Sequence, residues 1–368
     1  MSVYNVSGNA ISNAYNVSES ALTYAYDVNG NEVLSGGQAP EDPFVKTLVR
    51  YDTNYIITSA WLENAETQRD ACKTAYSASD DAIPFFIMTD GHGKYNEGNK
   101  GCHNLAEQSM RYIFNIQLGD YASYYSDGAN PSNHAASSLG LTNYISAMGN
   151  HEFANNSSAD AELADLPTLI GSYTPSTAIL GSETYGFYKL ISSKYNVKFL
   201  VTQPHIPDEN DSAGFIWKIT GEQYEWLIDE LEADDGYDIV VVQHEPLNGT
   251  YTNKVSGTTY TYNIANISIG EILSARKAKQ SGSYTDSNNV VHPYDFTSCT
   301  TDILCSLHGH HHAEAYMTKA TLGFPSYVAD DFDNVGTSVY GLIDRDNGKL
   351  KLWKFSSTAT SNVFELDL

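Results

Sequence analysis

The sequence predicts a layered α/β fold, because stretches with helical period alternate along the chain with short apolar runs. Residues 60–79 repeat apolar side chains at the helical period, and the apolar run IPFFIM at 83–88 follows them. The same succession returns where the amphipathic stretch 220–234 precedes the apolar residues of 237–246. A continuous apolar run of this length is typical of a buried strand, so we expect sheets that are covered by helices.

The remaining elements extend this alternation to the end of the chain. The elements predicted after residue 90 are a helix over 104–116, a helix over 220–234, a strand over 237–246, a helix over 267–280, a strand over 302–312 and a hairpin over 339–355. Thr220 and Gln223 have the spacing of a capping box, which predicts the start of the second of these helices. Asn347-Gly348 predicts the tight turn of the hairpin.

A short repeat precedes this alternating region. Tyr4, Tyr15 and Tyr26 lie eleven residues apart, and each begins a unit that reads as two short strands around a turn. The stretch SGGQAPEDP at 35–43 reads as a linker. The sequence therefore predicts a small β-repeat segment with its linker over 1–40, for attachment or oligomerisation through residues 1–35, although a loosely ordered leader fits the same residues.

Composition limits the partners and the cellular location. The 368-residue chain has 20 Lys and Arg against 45 Asp and Glu, a formal net charge of −25, which disfavours stable binding to nucleic acid. No apolar run is long enough to predict a membrane span, and the first residues lack the pattern of a signal peptide. Many polar residues and few lysines favour an extracellular or particle-associated protein. The cysteines allow the disulfides Cys72–Cys102 and Cys299–Cys305, or buried thiols.

Residues typical of metal ligands follow several of the predicted strands. They are Asp90 and His92 in TDGHG, Asp120 in LGDY, Asn150 and His151 in GNHEF, His244 in VQHEP, and His310 and His312 in HGHHH. Alternation along an extended chain would project Asp90 and His92 to one side, and His310 to the same side as His312. Oxygen and imidazole ligands without a thiolate favour Mn, Fe or Zn. So many candidate ligands exceed the needs of one tetrahedral ion but suit two ions that share a carboxylate.

The order D-x-H, G-D, G-N-H-E, H and G-H-x-H resembles that of the calcineurin-like metallophosphoesterases, over roughly residues 80–315. The resemblance implies a four-layer α-β-β-α sandwich of two mixed β-sheets flanked by helices, which would occupy residues 44–368. It also implies a hydrolase that cleaves phosphate monoesters or diesters. Its substrate would be a small phosphate ester, attacked by a hydroxide that bridges two divalent or trivalent ions.

The resemblance also implies a role for each motif residue. One ion would be held by Asp90, His92 and His312, and the other by Asn150, His244 and His310. Asp120 would bridge the two ions. His151 would lie beside them without ligating, as a general acid or as a stabiliser of charge in the transition state.

Two subfamilies fit this chain poorly. Purple acid phosphatases have a tyrosine three residues after the G-D aspartate, where this chain has Ser123, and they lack the histidine that stands here as His92. The sequence GDYASYY does not match the G-D-x-x-D-R-G of Ser/Thr protein phosphatases. The alternative to an enzyme is a non-catalytic structural or attachment protein of a phage particle or cell surface that retains a metal site.

Other polar residues near the motifs are interpreted as supporting or surface groups. His308 and His311 are expected to pack or hydrogen-bond around the site, and Glu152 to orient its neighbours. The residues expected at the surface are His103, His134, His205 and His292, with Asp127, Asp330, Asp331 and Asp333 as solvated loop carboxylates.

Overall fold

A computed structural model gives the fold of most of the α/β region. The described residues are 44, 58–92, 113–120, 144–153, 174–175, 177–182, 184–207, 215–264, 267–332, 336–358 and 363–368. The repeat predicted over 1–40 and its attachment role lie outside these residues, and the domain boundary at residue 44 stays a prediction.

The helices and strands are numbered in chain order. The helices are α1 (Ser59–Ser77), α2 (Asn150–Phe153), α3 (Gly221–Glu232), α4 (Gly270–Lys277) and α5 (Lys319–Leu322). The strands are β1 (Ala82–Met88), β2 (Phe114–Gln117), β3 (Tyr144–Ser146), β4 (Ile179–Leu180), β5 (Tyr188–Ser192), β6 (Val197–Val201), β7 (His205–Pro207), β8 (Phe215–Trp217), β9 (Asp238–Val242), β10 (Gly249–Asn253), β11 (Thr259–Tyr262), β12 (Ser281–Thr285), β13 (Val291–Asp295), β14 (Ile303–His308), β15 (Ala315–Met317), β16 (Ser326–Val328), β17 (Ser338–Asp344), β18 (Lys349–Phe355) and β19 (Phe364–Asp367).

Most of the described strands belong to two large mixed sheets. One sheet has six strands in the order β19-β18-β17-β1-β2-β3, and the other has nine in the order β11-β10-β15-β16-β14-β9-β6-β5-β4. β1, β2 and β3 run parallel to one another in the first sheet, as do β6, β9, β14 and β16 in the second. Two separate hairpins, β7–β8 and β12–β13, complete the described strands.

Alternate side chains of the buried strands enter different apolar clusters. Phe85 of β1 and Val240 of β9 share one cluster, which therefore lies between the two sheets. Phe86 points to the other face of the first sheet, where it joins Trp61 of α1. Val241 points to the other face of the second sheet, among side chains of α3 and α4. The described elements thus lie in the order helix, sheet, sheet, helix, which confirms the mixed α/β fold class.

The sequence predicted most of the major elements and misassigned one. The expected helix over 104–116 was wrong at its end, where Phe114 and Ile116 belong to strand β2, which pairs in parallel with β1 on one side and β3 on the other. Residues 104–112 lie outside the described residues. Only one of the two hydrogen bonds of a capping box is present at the start of α3. The Thr220 hydroxyl accepts the Gln223 N–H, whereas the Gln223 side chain bonds the backbone of Gln203.

The structure also bears on the expectations about a membrane span and about disulfides. No helix among the described residues is long and apolar enough to cross a membrane. Cys299 and Cys305 are buried free thiols, so the pairing between them is not formed. Cys72 is also a buried free thiol, whereas Cys102 lies outside the described residues.

Candidate metal centre

The predicted ligands follow the carboxyl ends of five parallel strands, three in one sheet and two in the other. Asp90, Asp120 and Asn150 come after β1, β2 and β3, while His244 and His310 come after β9 and β14. Carboxyl ends of parallel strands meet at one edge of a sheet, and here the edges of two packed sheets meet. Packing of the two sheets therefore brings together residues that lie more than two hundred positions apart in the chain.

Asp90, His92 and His312 form the first group of candidate ligands. His92 Nε2 lies 2.8 Å from His312 Nε2, which is itself 3.3 Å from Asp90 Oδ1. The other oxygen of Asp90 accepts hydrogen bonds from the Thr89 hydroxyl at 2.6 Å and the His310 N–H at 3.0 Å. Asp90 Oδ1 is buried and has no hydrogen-bond partner. Three ligand atoms therefore converge on one point.

The second group contains Asp120, His244 and His310, with Asn150 beside them. His244 Nδ1 donates a hydrogen bond to the Leu118 carbonyl at 2.5 Å, so Nε2 carries the lone pair. That buried Nε2 faces Asp120 Oδ2 at 3.1 Å without a hydrogen bond. His310 Nδ1 lies 2.9 Å from Asn150 Oδ1. These oxygen and nitrogen atoms lie close enough together to bind one cation between them.

Asp120 belongs to both groups of ligand atoms. Its Oδ1 accepts the backbone N–H of His151 at 2.8 Å, which orients the carboxylate. Burial alone would raise the pKa of Asp120, but the neighbouring His244, His151 and His92 lower it below its ordinary value. The carboxylate is therefore negatively charged at neutral pH.

Burial keeps two of the candidate imidazole ligands neutral. It lowers the pKa of His92 to about 4, and it lowers the pKa of His310 to about 4. A neutral imidazole offers a lone pair, which is the form that binds metal.

The backbone at these ligands is left-handed, not extended as the alternation argument assumed. Asp90, His92, Asp120, His310 and His312 have φ between 48° and 69°. These are five of the eight described non-glycine residues with positive φ, so the strain is concentrated at this site. Each such residue costs on the order of 1–3 kcal/mol, and Asp and His tolerate the conformation better than most residues. His310 and His312 consequently serve different groups although they lie two positions apart.

Two motif glycines allow the loops to approach one another. A Cβ at Gly149 would lie 2.6 Å from the Asp120 nitrogen and 2.8 Å from His244 Cδ2. A Cβ at Gly309 would lie 2.7 Å from Asp90 Oδ2. Real side chains do not approach so closely, so the glycines of G-N-H and G-H-x-H are required by the packing of ligand loops against each other.

The sequence matches the family model for calcineurin-like phosphoesterases over residues 83–314, which contain every candidate ligand. The chain belongs to the calcineurin-like phosphoesterase family. No curated protein sequence matches it significantly.

Solved structures of other proteins resemble this chain distantly. GAP50, described as the anchor in the inner membrane complex of Plasmodium, is 11% identical with a TM-score of 0.42, over 78% of this chain and 90% of that chain. The calcineurin-like phosphoesterase YfkN of Bacillus subtilis is 12% identical with a TM-score of 0.34, over 78% and 91% of the two chains.

The candidate ligands of this chain fit the divalent ions that its family implies. The donor set contains only carboxylate, amide and imidazole atoms, which suits borderline and hard cations. Asp90 Oδ1 and His244 Nε2 are buried without a hydrogen-bond partner, and each faces a ligand atom of another residue. Such an arrangement is costly unless positive charge lies between the facing atoms.

Glu152 orients the backbone of the metal site, as its position in GNHEF predicts. Its buried carboxylate accepts the Asp120 N–H at 2.9 Å and the Gly149 N–H at 2.6 Å. One side chain thus ties the loop after β2 to the loop after β3, and this keeps Asp120 and Asn150 at a fixed separation.

His308 and His311 both pack near the site. His308 is buried, with Nδ1 at 3.0 Å from the Gln243 carbonyl and Nε2 at 2.9 Å from the Ser306 hydroxyl. The exposed His311 packs its ring 4.2 Å from that of Tyr260. Neither belongs to a ligand group among the described residues.

Several residues expected at the surface are buried. His205 pairs with Glu245 behind the second ligand group, and His292 lies against Asp286 in the β12–β13 hairpin. Asp331 is mostly buried and lies 3.7 Å from His312 Nδ1. The expectation of solvated side chains was wrong here, because the two histidines lie against buried carboxylates in hairpin strands and Asp331 lies beside His312. The remaining residues of that set are Asp330, which pairs with Lys354, and His103, His134, Asp127 and Asp333, which lie outside the described residues.

Proposed function

We propose that the chain hydrolyses small phosphate esters, monoesters or diesters, at a site that holds two metal ions. The observation that carries this proposal is the sharing of Asp120 between two groups of ligand atoms. One ion would be held by Asp90, His92 and His312, the other by Asn150, His244 and His310. The two would be Mn, Fe or Zn, which the donor set does not distinguish.

The protein supplies geometry and a proton donor. When bound, a pair of cations supplies positive charge for phosphoryl oxygens and lowers the pKa of water so that hydroxide is available near neutral pH. Asp120 would fix the separation of the pair. His151 would donate a proton to the leaving oxygen, since it lies at the start of α2 with its ring 4.5 Å from that of His92, outside both ligand groups.

Turnover of chromogenic esters tests the proposal. The full chain, stripped with a chelator and reloaded with Mn²⁺, should hydrolyse p-nitrophenyl phosphate or its bis-ester, and the stripped protein should not. Asp90→Asn should abolish this turnover. Asp344→Asn is the matched control, because Asp344 is a buried carboxylate that pairs with Lys351 at the opposite end of β1. Turnover that survives in the stripped protein would contradict the proposal.

The amino-terminal repeat should be dispensable for chemistry, because no candidate ligand precedes Asp90. Deleting residues 1–40 is expected to leave kcat within a few-fold while it changes assembly or attachment. The measurements are turnover together with particle size in solution. A truncated protein that binds metal normally but does not turn over would refute this separation.

A further inference from the structure

A buried histidine and a buried carboxylate form a pair directly behind the second ligand group. His205 Nε2 lies 2.6 Å from Glu245 Oε1, and both side chains are fully buried. The Gln203 amide nitrogen lies 2.8 Å from His205 Nδ1. An amide nitrogen only donates, so Nδ1 accepts, and the ring hydrogen is on Nε2, on the side of Glu245.

His205 and Glu245 lie next to residues that hold Asn150, His244 and His310, the ligands of the second group other than Asp120. Glu245 follows His244 directly in the chain. The His205 ring stacks on Phe153, three residues after Asn150 in α2, with ring centroids 5.4 Å apart.

Trp217 supplies the third connection. Its ring lies 4.9 Å from that of His205 on one side and 5.4 Å from that of the ligand His310 on the other. A strand pair between His205 and Trp217 in the β7–β8 hairpin fixes this arrangement.

The pair also carries a negative charge that no described lysine or arginine neutralises. Glu245 is fully buried and forms no ion pair with a lysine or arginine among the described residues. Glu245 directly follows the ligand His244, and the ring of its partner His205 lies 6.4 Å from the ring of His244. An unneutralised buried carboxylate is unfavourable, and a nearby cation relieves that cost.

We propose that His205 and Glu245 are positioning residues for the ion held by Asn150, His244 and His310, and that Glu245 strengthens that ion's binding through its charge. The proposal rests on the metal site described under the proposed function. It predicts that substitutions in the pair change the affinity for only one of the two ions, because His205 and Glu245 contact residues next to the second ligand group only. Outer groups that orient metal ligands typically change affinity by about 10–100-fold.

Isothermal titration calorimetry of Mn²⁺ binding to the metal-free full chain tests the proposal without any substrate. The wild type should bind two ions. Glu245→Gln should weaken one of the two by about 10–100-fold and leave the other unchanged. Glu245→Asp, which keeps the charge, should bind more tightly than Glu245→Gln, and His205→Gln should also weaken one ion only.

The β12–β13 hairpin provides a matched control. There His292 Nε2 lies 3.4 Å from Asp286 Oδ2 in a second buried pair, so Asp286→Asn should leave both affinities unchanged. Wild-type affinities in Glu245→Gln, or equal weakening of both ions together with a lower Tm in chelator, would overturn the positioning role. If Glu245→Gln does not fold, His205→Gln decides. A wild type that binds no Mn²⁺ would instead refute the proposed function.

Discussion

Replacing Asp120 with alanine should release both metal ions and reduce phosphate-ester turnover by roughly 10³-fold or more. Asp120 contributes to both ligand groups, and its loss leaves His244 Nε2 without the carboxylate that it faces at 3.1 Å. Several kcal/mol of charge stabilisation in the transition state corresponds to a rate factor of about this size. Elemental analysis of the purified variant, together with steady-state kinetics, measures both effects.

His92→Ala provides the comparison for this variant. His92 belongs to the first ligand group only, so its loss should remove less metal than the loss of Asp120. Two ions retained in Asp120→Ala would refute the bridging role. Equal metal content in the two variants would contradict the predicted difference between a residue shared by both groups and a ligand of one group.

His151→Ala should keep both ions yet lose about 10²–10⁴-fold in turnover of alkyl phosphates, the usual contribution of general acid catalysis. The imidazole belongs to neither ligand group, and its ring lies 4.5 Å from the ring of His92. Nitrophenolate is a good leaving group that needs little protonation. The loss on nitrophenyl esters should therefore be smaller than the loss on alkyl esters, in parallel assays with known metal content.

His311→Ala is the matched control for His151→Ala, since His311 is a histidine at the edge of the site whose ring packs on Tyr260. It should retain turnover of both ester classes within a few-fold. Equal losses on alkyl and nitrophenyl esters in His151→Ala would indicate charge stabilisation of the phosphoryl group instead. Loss of metal would identify His151 as a ligand.

Strong local patterns predicted the elements that form the two packed sheets. The amphipathic period before Ser77 gave α1, and the apolar runs gave β1, β9 and β14 within a few residues of their bounds. Short polar strands were missed. β12 has the sequence SGSYT and is almost wholly exposed, so it lacks both the apolar run and the alternation that indicate a strand.

The ligand motifs were visible in the sequence because each stands directly after an apolar strand. The family resemblance that the motif order carries implied which residues meet. The left-handed backbone at His310 and His312 was not predicted, because it depends on contacts between loops from both sheets. Glu245 had a signal that could have been used, since an acidic residue directly follows a buried strand and a ligand. His205 had none, because its partner is set by packing of the β7–β8 hairpin.

Anomalous diffraction from crystals of the full chain soaked with Mn²⁺ tests the central claim most directly. We expect two peaks, about 3.5–4 Å apart, on either side of the Asp120 carboxylate. One peak should lie among Asp90, His92 and His312, and the other among Asn150, His244 and His310. A single peak, or two peaks with Asp120 contacting only one of them, would contradict a two-ion centre bridged by this residue.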